Sequence, residues 1–457
     1  MPDQTTKPDQ TTKPDQTCMP DQTSVLAPNF TTDPYWWDAA PPEAARDPLP
    51  TRTDVLVVGS GYCGLSAAAE LARNGVDVTV VDAEELGAGA STRSGGMVSS
   101  GQKLVIGGAI KGVDAARMSR LLEDSLASYD HLKTLIREQG LDADLAVLGR
   151  YFGAHVPRHY DRLRRQGELL AKHTGVTVHD IPKARQHEIT ATDLYHGGIV
   201  IDDYGGLHPA KYHRALRHLA AANGATLRSH APVLKVGPAE GGFHMVETGR
   251  GMIRARNVFF GTNGYTDKAQ PYLQKRIVPV RSYQIATEPL PPELMDEINP
   301  GRRMITDSKR ELIYSRPSPD GTRILFGSRP GMFSMAEREA ALSLHAMMLK
   351  VWPQLAGYKV THCWSGKVGM TADKIAHMGR RDGVDFAIGC NGNGVALMSY
   401  LGHQSALKLL GRQNRACAFD DPAFPAVPLY NGTPWFLPIV SGWYHLQDAI
   451  DRRMARF

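Results

Sequence analysis

One stretch constrains the chain more than any other: Asp54 to Asp82. An apolar run, Val55-Leu56-Val57-Val58, turns through Gly59-Ser60-Gly61-Tyr62-Cys63-Gly64 into the helix-forming Leu65-Ser66-Ala67-Ala68-Ala69-Glu70-Leu71-Ala72. A second apolar run, Val78-Thr79-Val80-Val81, ends at Asp82. The order is strand, glycine turn, helix, strand, acid. Gly59 permits the tight turn, Gly61 lets backbone approach a pyrophosphate, and Gly64 lets helix lie close on strand. The helix N-terminus offers N–H groups and a positive dipole end to phosphate. Asp82 stands at the distance, about 20 residues, from which a carboxylate accepts from a ribose hydroxyl. The unit predicts a dinucleotide site in an α/β sheet. A glycine turn that only packs a helix in an unrelated α/β sheet is the structural alternative. An NAD-dependent dehydrogenase is the sober functional reading of this motif alone.

At 457 residues the chain is long enough for two or three domains. Its 42% apolar and 22% charged content are ordinary for a globular protein. A net charge of +5, with no basic run interleaved with aromatics, argues against nucleic acid as a partner. Cys18, Cys63, Cys363, Cys390 and Cys417 are odd in number and widely spaced. That pattern suits a reducing compartment and predicts neither a disulfide framework nor a metal site. No apolar run approaches about 18 residues, so no membrane span is expected. The polar N-terminus lacks the apolar core of a secretory signal, which makes a cytoplasmic location the default.

Pro-Asp-Gln-Thr recurs at Pro2, Pro8, Pro14 and Pro20, so residues 1–24 are expected to be a disordered repeat tail. Tyr35-Trp36-Trp37-Asp38, with Pro41-Pro42, reads as an ordered arm on the domain surface. After Asp82 comes Gly87-Ala88-Gly89-Ala90-Ser91-Thr92-Arg93-Ser94-Gly95-Gly96-Met97. Such a run lets backbone approach a flat or phosphorylated ligand; a flexible surface loop is the bland reading. Helices are expected over about 114–138, 157–173, 209–222 and 335–350. The first two read as scaffold, and His208, at the entry of the third, as structural rather than chemical. The strand 257–260 leads into Gly261-Thr262-Asn263-Gly264, and a final glycine cluster, Gly389-Cys390-Asn391-Gly392-Asn393-Gly394, opens a helix over 395–410. From about 277 to 330 alternation and turn residues predict antiparallel strands. Within them Arg316 is a lone cation, able to clamp a substrate carboxylate in bidentate fashion or simply to face solvent. Residues 424–457, rich in proline and aromatics, are expected to wrap the body or an oligomer interface.

Taken in order, the nucleotide unit, the Gly-Ala-Ser-x-Arg-x-Gly-Gly run, the Asn263-Gly264 turn and the C-terminal Trp-x-Gly…Asp…Gly-x-Gly helix resemble the FAD-dependent oxidoreductases of the D-amino-acid oxidase superfamily. Glycine, sarcosine and γ-glutamylputrescine oxidases belong to that group, the last being closest in style through Ser282 to Leu290 and the Tyr-Trp-Trp arm. The resemblance covers about residues 30–415. It implies an α/β fold: a Rossmann-like FAD-binding domain (25–115, 190–270 and 345–415) beside an antiparallel β-sheet substrate domain (116–189 and 271–344), with 416–457 as an extension. It further implies that Gly59, Ser60, Gly61, Tyr62, Cys63 and Gly64 hold the FAD pyrophosphate and that Asp82, with Ala83, takes the adenosine ribose. Ala90, Ser91, Arg93, Ser94, Gly95 and Gly96 would lie along phosphates and flavin ring, Val233 against adenine, and Thr262 and Asn263 near the nucleotide. Gly392, Asn393 and Gly394 would set a helix N-terminus at the flavin N1–C2=O edge.

Some relatives attach flavin through a histidine in the first glycine-rich run; here Arg93 and Ser94 stand there. Sarcosine oxidases use a cysteine near the position of Gly366, three residues beyond Cys363. Non-covalent FAD is therefore expected. The strand that carries an oxygen-activating lysine in sarcosine oxidases reads Ile324-Leu325-Phe326 here, so O2 and another electron acceptor both stay open. A proline usual before the Gly379 region is Ala376, and the usual Gly-His-Gly entry is Gly392-Asn393-Gly394. The implied reaction is oxidation of a C–N bond in a small amine or amino acid. Hydride passes to flavin N5, and an imine is released and hydrolyses. Arg316, Tyr283 and Trp364 are the catalytic candidates, with Tyr314 and Lys367 as further pocket walls. A flavin-dependent dehydrogenase of a hydroxy acid, using a quinone or carrier protein, is the alternative. A tRNA-modifying protein on the same FAD domain is a third reading, disfavoured by the missing basic patch.

Overall fold

The computed structural model describes residues 25–101, 104–106, 112–330, 334–420 and 423–455. The repeat tail expected over 1–24 lies outside the described residues. Along the chain the first elements are β1 (Leu26–Thr31), β2 (Arg52–Val58), α1 (Tyr62–Arg73), β3 (Val78–Val81), the single turn α2 (Ala90–Arg93) and β4 (Met97–Ser99). Then come α3 (Ala115–Glu138), β5 (Ala146–Val147), β6 (Arg150–Gly153), α4 (Pro157–Thr174), β7 (Val178–Ile181), β8 (Gly198–Ile201) and β9 (Tyr204–Gly206). The middle of the chain gives α5 (Pro209–Ala222), β10 (Thr226–Arg228), β11 (Val233–Glu240), β12 (Phe243–Thr248), β13 (Gly251–Phe260) and the short α6 (Pro271–Gln274). Next are β14 (Val278–Thr287), α7 (Pro292–Ile298), β15 (Met304–Asp307), β16 (Tyr314–Pro317), β17 (Ile324–Ser328) and α8 (Glu337–Val351). The last are β18 (Val360–Met370), β19 (His377–Arg381), β20 (Val384–Ile388), α9 (Gly394–Leu409) and α10 (Leu437–Met454).

The nucleotide unit folds as its pattern predicts. β10, β3, β2 and β13 are parallel neighbours, and β20 joins the carboxyl half of β13 in parallel. Because both faces of a parallel sheet are covered, its strands read as continuous apolar runs. Val55, Val57, Val78, Val80 and Phe259 face α1, α5 and α9. Leu56, Val58, Val81 and Phe260 face the opposite way, toward β11, Leu273 and Phe424. Helix backbones touch beneath the glycine turn: a Cβ on Gly402 of α9 would stand 2.1 Å from the Cys63 carbonyl oxygen of α1.

The second sheet has nine strands in the order β1-β18-β14-β17-β16-β15-β6-β8-β7. It is antiparallel except at the β1–β18 and β15–β6 pairings. β1, β8 and β18 come from stretches expected to belong to the nucleotide domain, yet they pair here, so the chain crosses between sheets more often than the sequence pattern indicates. The reason is that alternation identifies a strand but not its partner. β14 shows the alternation at work. Tyr283 and Ile285 enter the apolar cluster under α8 with Leu344 and Met348, while Ser282 and Gln284 face the other way. The Tyr-Trp-Trp arm does more than lie on a surface: Trp36 is fully buried against Trp364, ring centroids 6.5 Å apart. The C-terminal segment wraps the body as α10, with Leu437, Ser441, Asp448 and Asp451 inward and Ile439, Trp443, Leu446 and Ile450 outward. No helix among the described residues is long and apolar enough to cross a membrane.

Candidate active site

One cavity of about 980 Å³ is lined from both large sheets. Its nucleotide end lies at the carboxyl ends of β2, β3 and β13, where open α/β sheets place ligands. Gly59 turns with φ +99°, and a Cβ on Gly64 would stand 1.9 Å from the Gly59 carbonyl oxygen, so α1 can begin here only behind glycine. Asp82 braces the turn, its Oδ2 accepting from Ser60 N–H and Ser60 Oγ, both at 2.7 Å. Its Oδ1 takes the Glu84 N–H at 3.1 Å. An ionised carboxylate offers about four acceptor sites, so room is left for a ribose hydroxyl. Beneath, the buried His213 ring meets the Ser60 carbonyl at 2.7 Å.

Two helices of ordinary length, α1 and α9, begin at this cavity, and neither carries a side-chain cap on its N-terminus. Of the α1 donors, Tyr62 N–H meets Ser91 Oγ at 3.1 Å. Uncapped N-termini attract anions through both their N–H groups and the helix dipole. Every residue expected to hold the cofactor lines this cavity except Gly64, which supports the turn from behind. The arrangement fits a dinucleotide: pyrophosphate at α1, ribose at Asp82, and an electron-rich ring edge at α9. Asn263 contributes mainly as a strut. Its Oδ1 accepts from Gly389 N–H and Cys390 N–H at 3.0 and 3.2 Å, tying the end of β13 to the turn before α9.

The three catalytic candidates are a different matter: none of Arg316, Trp364 and Tyr283 lines the cavity. Arg316 is buried, its Nη1 donating to the carbonyls of Leu207 at 2.8 Å, Gly96 at 3.3 Å and Gly95 at 3.4 Å. Its Nε donates to the Pro317 carbonyl at 3.0 Å. Burial lowers its pKa to about 10. Trp364 Nε1 donates to the Arg93 carbonyl at 2.9 Å, which Gln284 Nε2 also reaches at 3.0 Å. Tyr283 points behind the sheet, its hydroxyl bonded to the Met335 backbone. Strand parity turns Tyr283 away. Arg316 and Trp364 share parity with the cavity-lining Tyr314 and Gly366, but each sits two residues further on, under the Trp36 arm. Arg316 and Trp364 thus shape the Arg93–Gly96 segment from behind. Arg93 itself is held by the Ala88 and Ser365 carbonyls and the Trp37 ring. Cys363 lies in the apolar cluster beneath α8, away from the cavity. Tyr314 and Lys367 do line it. His208 is an N-cap: Nδ1 accepts from Lys211 N–H at 3.2 Å, and burial lowers its pKa to about 4.

Past the glycine turns the cavity meets groups that the sequence pattern does not single out. Arg329, at the end of β17, lines it beside Tyr314, Tyr444 and Cys390. Its buried Nε has no hydrogen-bond partner among the described residues, and burial lowers its pKa. Arg150 of β6 is held by the hydroxyls of Tyr204 and Thr306, its buried Nε likewise unpartnered. The Asp307 carboxyl is pushed up to about 6 by burial, against the pull of Lys309 at 3.0 Å. Phe436 and, from α10, Leu437, Val440 and Tyr444 form a wall. The available signal for Arg329 was its place at the end of the apolar run Ile324 to Phe326; for α10 the sequence offered none.

The match to a family model for FAD dependent oxidoreductases, DAO, spans residues 54–406. The chain is 30% identical over 436 residues to the probable oxidoreductase OrdL of Rhizobium meliloti, covering 93% of this chain and 99% of that one. It is 28% identical over 409 residues to the γ-glutamylputrescine oxidoreductase of Escherichia coli, covering 87% and 93%. Among solved structures, glycine oxidase from Geobacillus kaustophilus shares the fold with a TM-score of 0.69 at 23% identity, over 83% of this chain and 99% of that one. The glycine turns, Asp82 and the two uncapped helix ends fit a flavin dinucleotide, and the chain belongs to the FAD-dependent oxidoreductase family.

Proposed function

We propose that this oxidoreductase oxidises the C–N bond of a carboxylate-bearing amine or amino acid. The observation that carries the reading is Arg329, half-buried on the cavity wall, whose buried Nε has no hydrogen-bond partner among the described residues. The ionisable groups that act on it are Tyr314, Cys390 and Tyr444, none of them a carboxylate. A cation with a buried, unpaired N–H is unfavourable, and a substrate carboxylate satisfies it. The names of the relatives supply the amine: they include γ-glutamylputrescine oxidoreductase and glycine oxidase.

Bound FAD supplies a two-electron acceptor at flavin N5 for hydride leaving the carbon beside nitrogen. The chain's own residues do the rest. Arg329 orients the carboxylate, so the reacting carbon is placed rather than left to diffuse. The N-terminus of α9 favours negative charge at the ring edge beside it. Arg316, Trp364 and Gln284 hold the Arg93–Gly96 backbone in one shape. α10 excludes water from the substrate end. The substrate, its amine neutral, loses a hydride (two electrons and a proton) and leaves as an iminium ion, which water hydrolyses to carbonyl and amine. FAD is held without a covalent link in this reading, Cys363 being turned away.

The test is an anaerobic titration of the FAD-loaded protein with N-substituted amino acids, D-amino acids, polyamines, their glutamyl derivatives and 2-hydroxy acids. Bleaching of the flavin visible band by a carboxylate-bearing amine supports the reading, and air then distinguishes oxidase from dehydrogenase. Bleaching by hydroxy acids alone would replace it with a hydroxy-acid dehydrogenase.

A further inference from the structure

The cavity also reaches α4, where two buried polar atoms have no hydrogen-bond partner among the described residues. Arg162 and Gln166 stand one helical turn apart on that helix, and both line the cavity. Arg162 Nε and Gln166 Oε1 are buried and have no hydrogen-bond partner among the described residues. One is a donor on a cation, the other an acceptor.

The acids near Arg162 are already engaged. Asp448 Oδ1 takes Arg310 Nη1 at 2.8 Å. Asp451 takes Arg310 at 2.8 Å, His159 at 3.1 Å and Arg158. Asp307 takes Lys309 at 3.0 Å. Arg150, Arg162, Lys309, Arg310 and Arg329 line the cavity with Asp307, while Asp448 and Asp451 pair with Arg310 and Arg158 behind it, which leaves an excess of positive charge among these groups. Burial and the cations Arg310 and Arg158 lower the pKa of Arg162, with only Asp448 raising it. Arg329 can satisfy one substrate carboxylate; the excess calls for a second anion.

We propose that the α4 end of the cavity is a second substrate subsite. Arg162 takes an anionic group remote from the reacting C–N bond, and Gln166 takes a hydrogen-bond donor carried beside that group. The substrate class is an amine with a carboxylate at each end. A remote amino-acid head, whose ammonium neighbours its carboxylate, meets both side chains. This rests on the reading that Arg329 receives a carboxylate, and it adds the second anchor.

The test uses the FAD-loaded full chain and ligands that cannot reduce flavin. Calorimetry compares a series of straight-chain α,ω-dicarboxylates with monocarboxylates of equal length. The expected result is one diacid length that binds about tenfold or more tighter than its monoacid, the effect of one charge-assisted bond made in a dry site. Arg162→Gln removes that advantage, and Gln166→Leu weakens only diacids carrying an added amino group. If monoacids bind in an Arg329-dependent way and no diacid gains on its monoacid, the subsite is overturned while the proposed function stands. If the diacid advantage survives in Arg162→Gln, the subsite is also overturned. If neither class binds, the carboxylate reading of the cavity falls, and the subsite with it.

Discussion

Arg316 offers the sharpest test of how this site is built, because its two readings predict opposite phenotypes. As a substrate clamp, its loss would raise KM and leave cofactor binding intact. In the structure it braces the backbone of the Gly95–Gly96 turn. Consider Arg316→Met, which keeps the stem and removes the guanidinium. Two bonds of 3.0 Å or less are lost, to Leu207 and Pro317. Bonds from a charged donor are worth about 1.5–3 kcal/mol each, so about 4–5 kcal/mol goes, the longer contacts to Gly95 and Gly96 adding little. Against this, burial holds the pKa at about 10 instead of 12.5. That difference corresponds to about 3 kcal/mol of desolvation cost that methionine does not incur. The net loss is about 1–2 kcal/mol, most of it at Leu207 and Pro317, which back the Gly95–Gly96 turn. If that support must be in place to bind FAD, the dissociation constant rises about tenfold. Fluorescence titration of the apoprotein with FAD measures it. An unchanged FAD affinity with a raised KM for a carboxylate substrate would refute the bracing argument and restore Arg316 as a clamp.

Other consequences are as direct. Arg329→Lys replaces a planar fork by a point charge and should lower kcat/KM for carboxylate-bearing amines about a hundredfold, with much less effect on an uncharged amine. Gly402→Ala should cost about 3 kcal/mol in denaturant unfolding, since its Cβ would press on the Cys63 carbonyl where α9 crosses α1. Asp385 is buried, and its carboxyl is raised from 3.8 to about 6. The folded chain therefore holds that proton more tightly than the unfolded one, and the stability this contributes, whole below about pH 4, is lost as pH rises through 6. Asp385→Asn should thus gain about 3 kcal/mol over the parent at pH 8 and nothing at pH 4. His213 has the opposite sign: burial lowers its pKa from 6.5 to about 4 beneath the glycine turn. The stability from its neutral ring is present above pH 6.5 and lost as pH falls toward 4, so FAD should be released progressively across that window, as fluorescence would show.

What could be read without coordinates divides by the range of the interaction that decides it. The Gly59–Gly64 turn, α1 and Asp82 are legible because strand, turn, helix and acid are local, each demanded by its neighbours within about 25 residues. The entry of α5 at His208-Pro209 is legible for the same reason, since a cap and a first-turn proline are properties of adjacent positions. The wall opposite is not. Tyr283, Arg316 and Trp364 were attractive because each is a reactive or bulky group in an alternating strand. Which face of that strand meets the cavity depends on a nine-strand pairing order with partners up to some 330 residues apart, as β1 with β18. Even correct parity would have misplaced Arg316 and Trp364, because it is Trp36, far away in sequence, that covers them.

The same limit works in the other direction for charge. On its own, α4 is a polar amphipathic helix, and arginines on such a helix are expected in water. Only the fold shows that Arg162 and Gln166 line the cavity while Arg158 of the same helix is used up on Asp451. A cation's chemistry is therefore set by what remains after its neighbours are paired, not by its place in a pattern. Arg316, the cation that stands out in the sequence, spends its Nε and Nη1 on four backbone carbonyls and does not line the cavity. Arg329 and Arg162, which do not stand out, line it, each with a buried Nε that has no hydrogen-bond partner among the described residues. Substrate-contacting arginines in a fold of this kind are better sought among guanidiniums with buried, unsatisfied N–H groups than among lone cations in apolar strands.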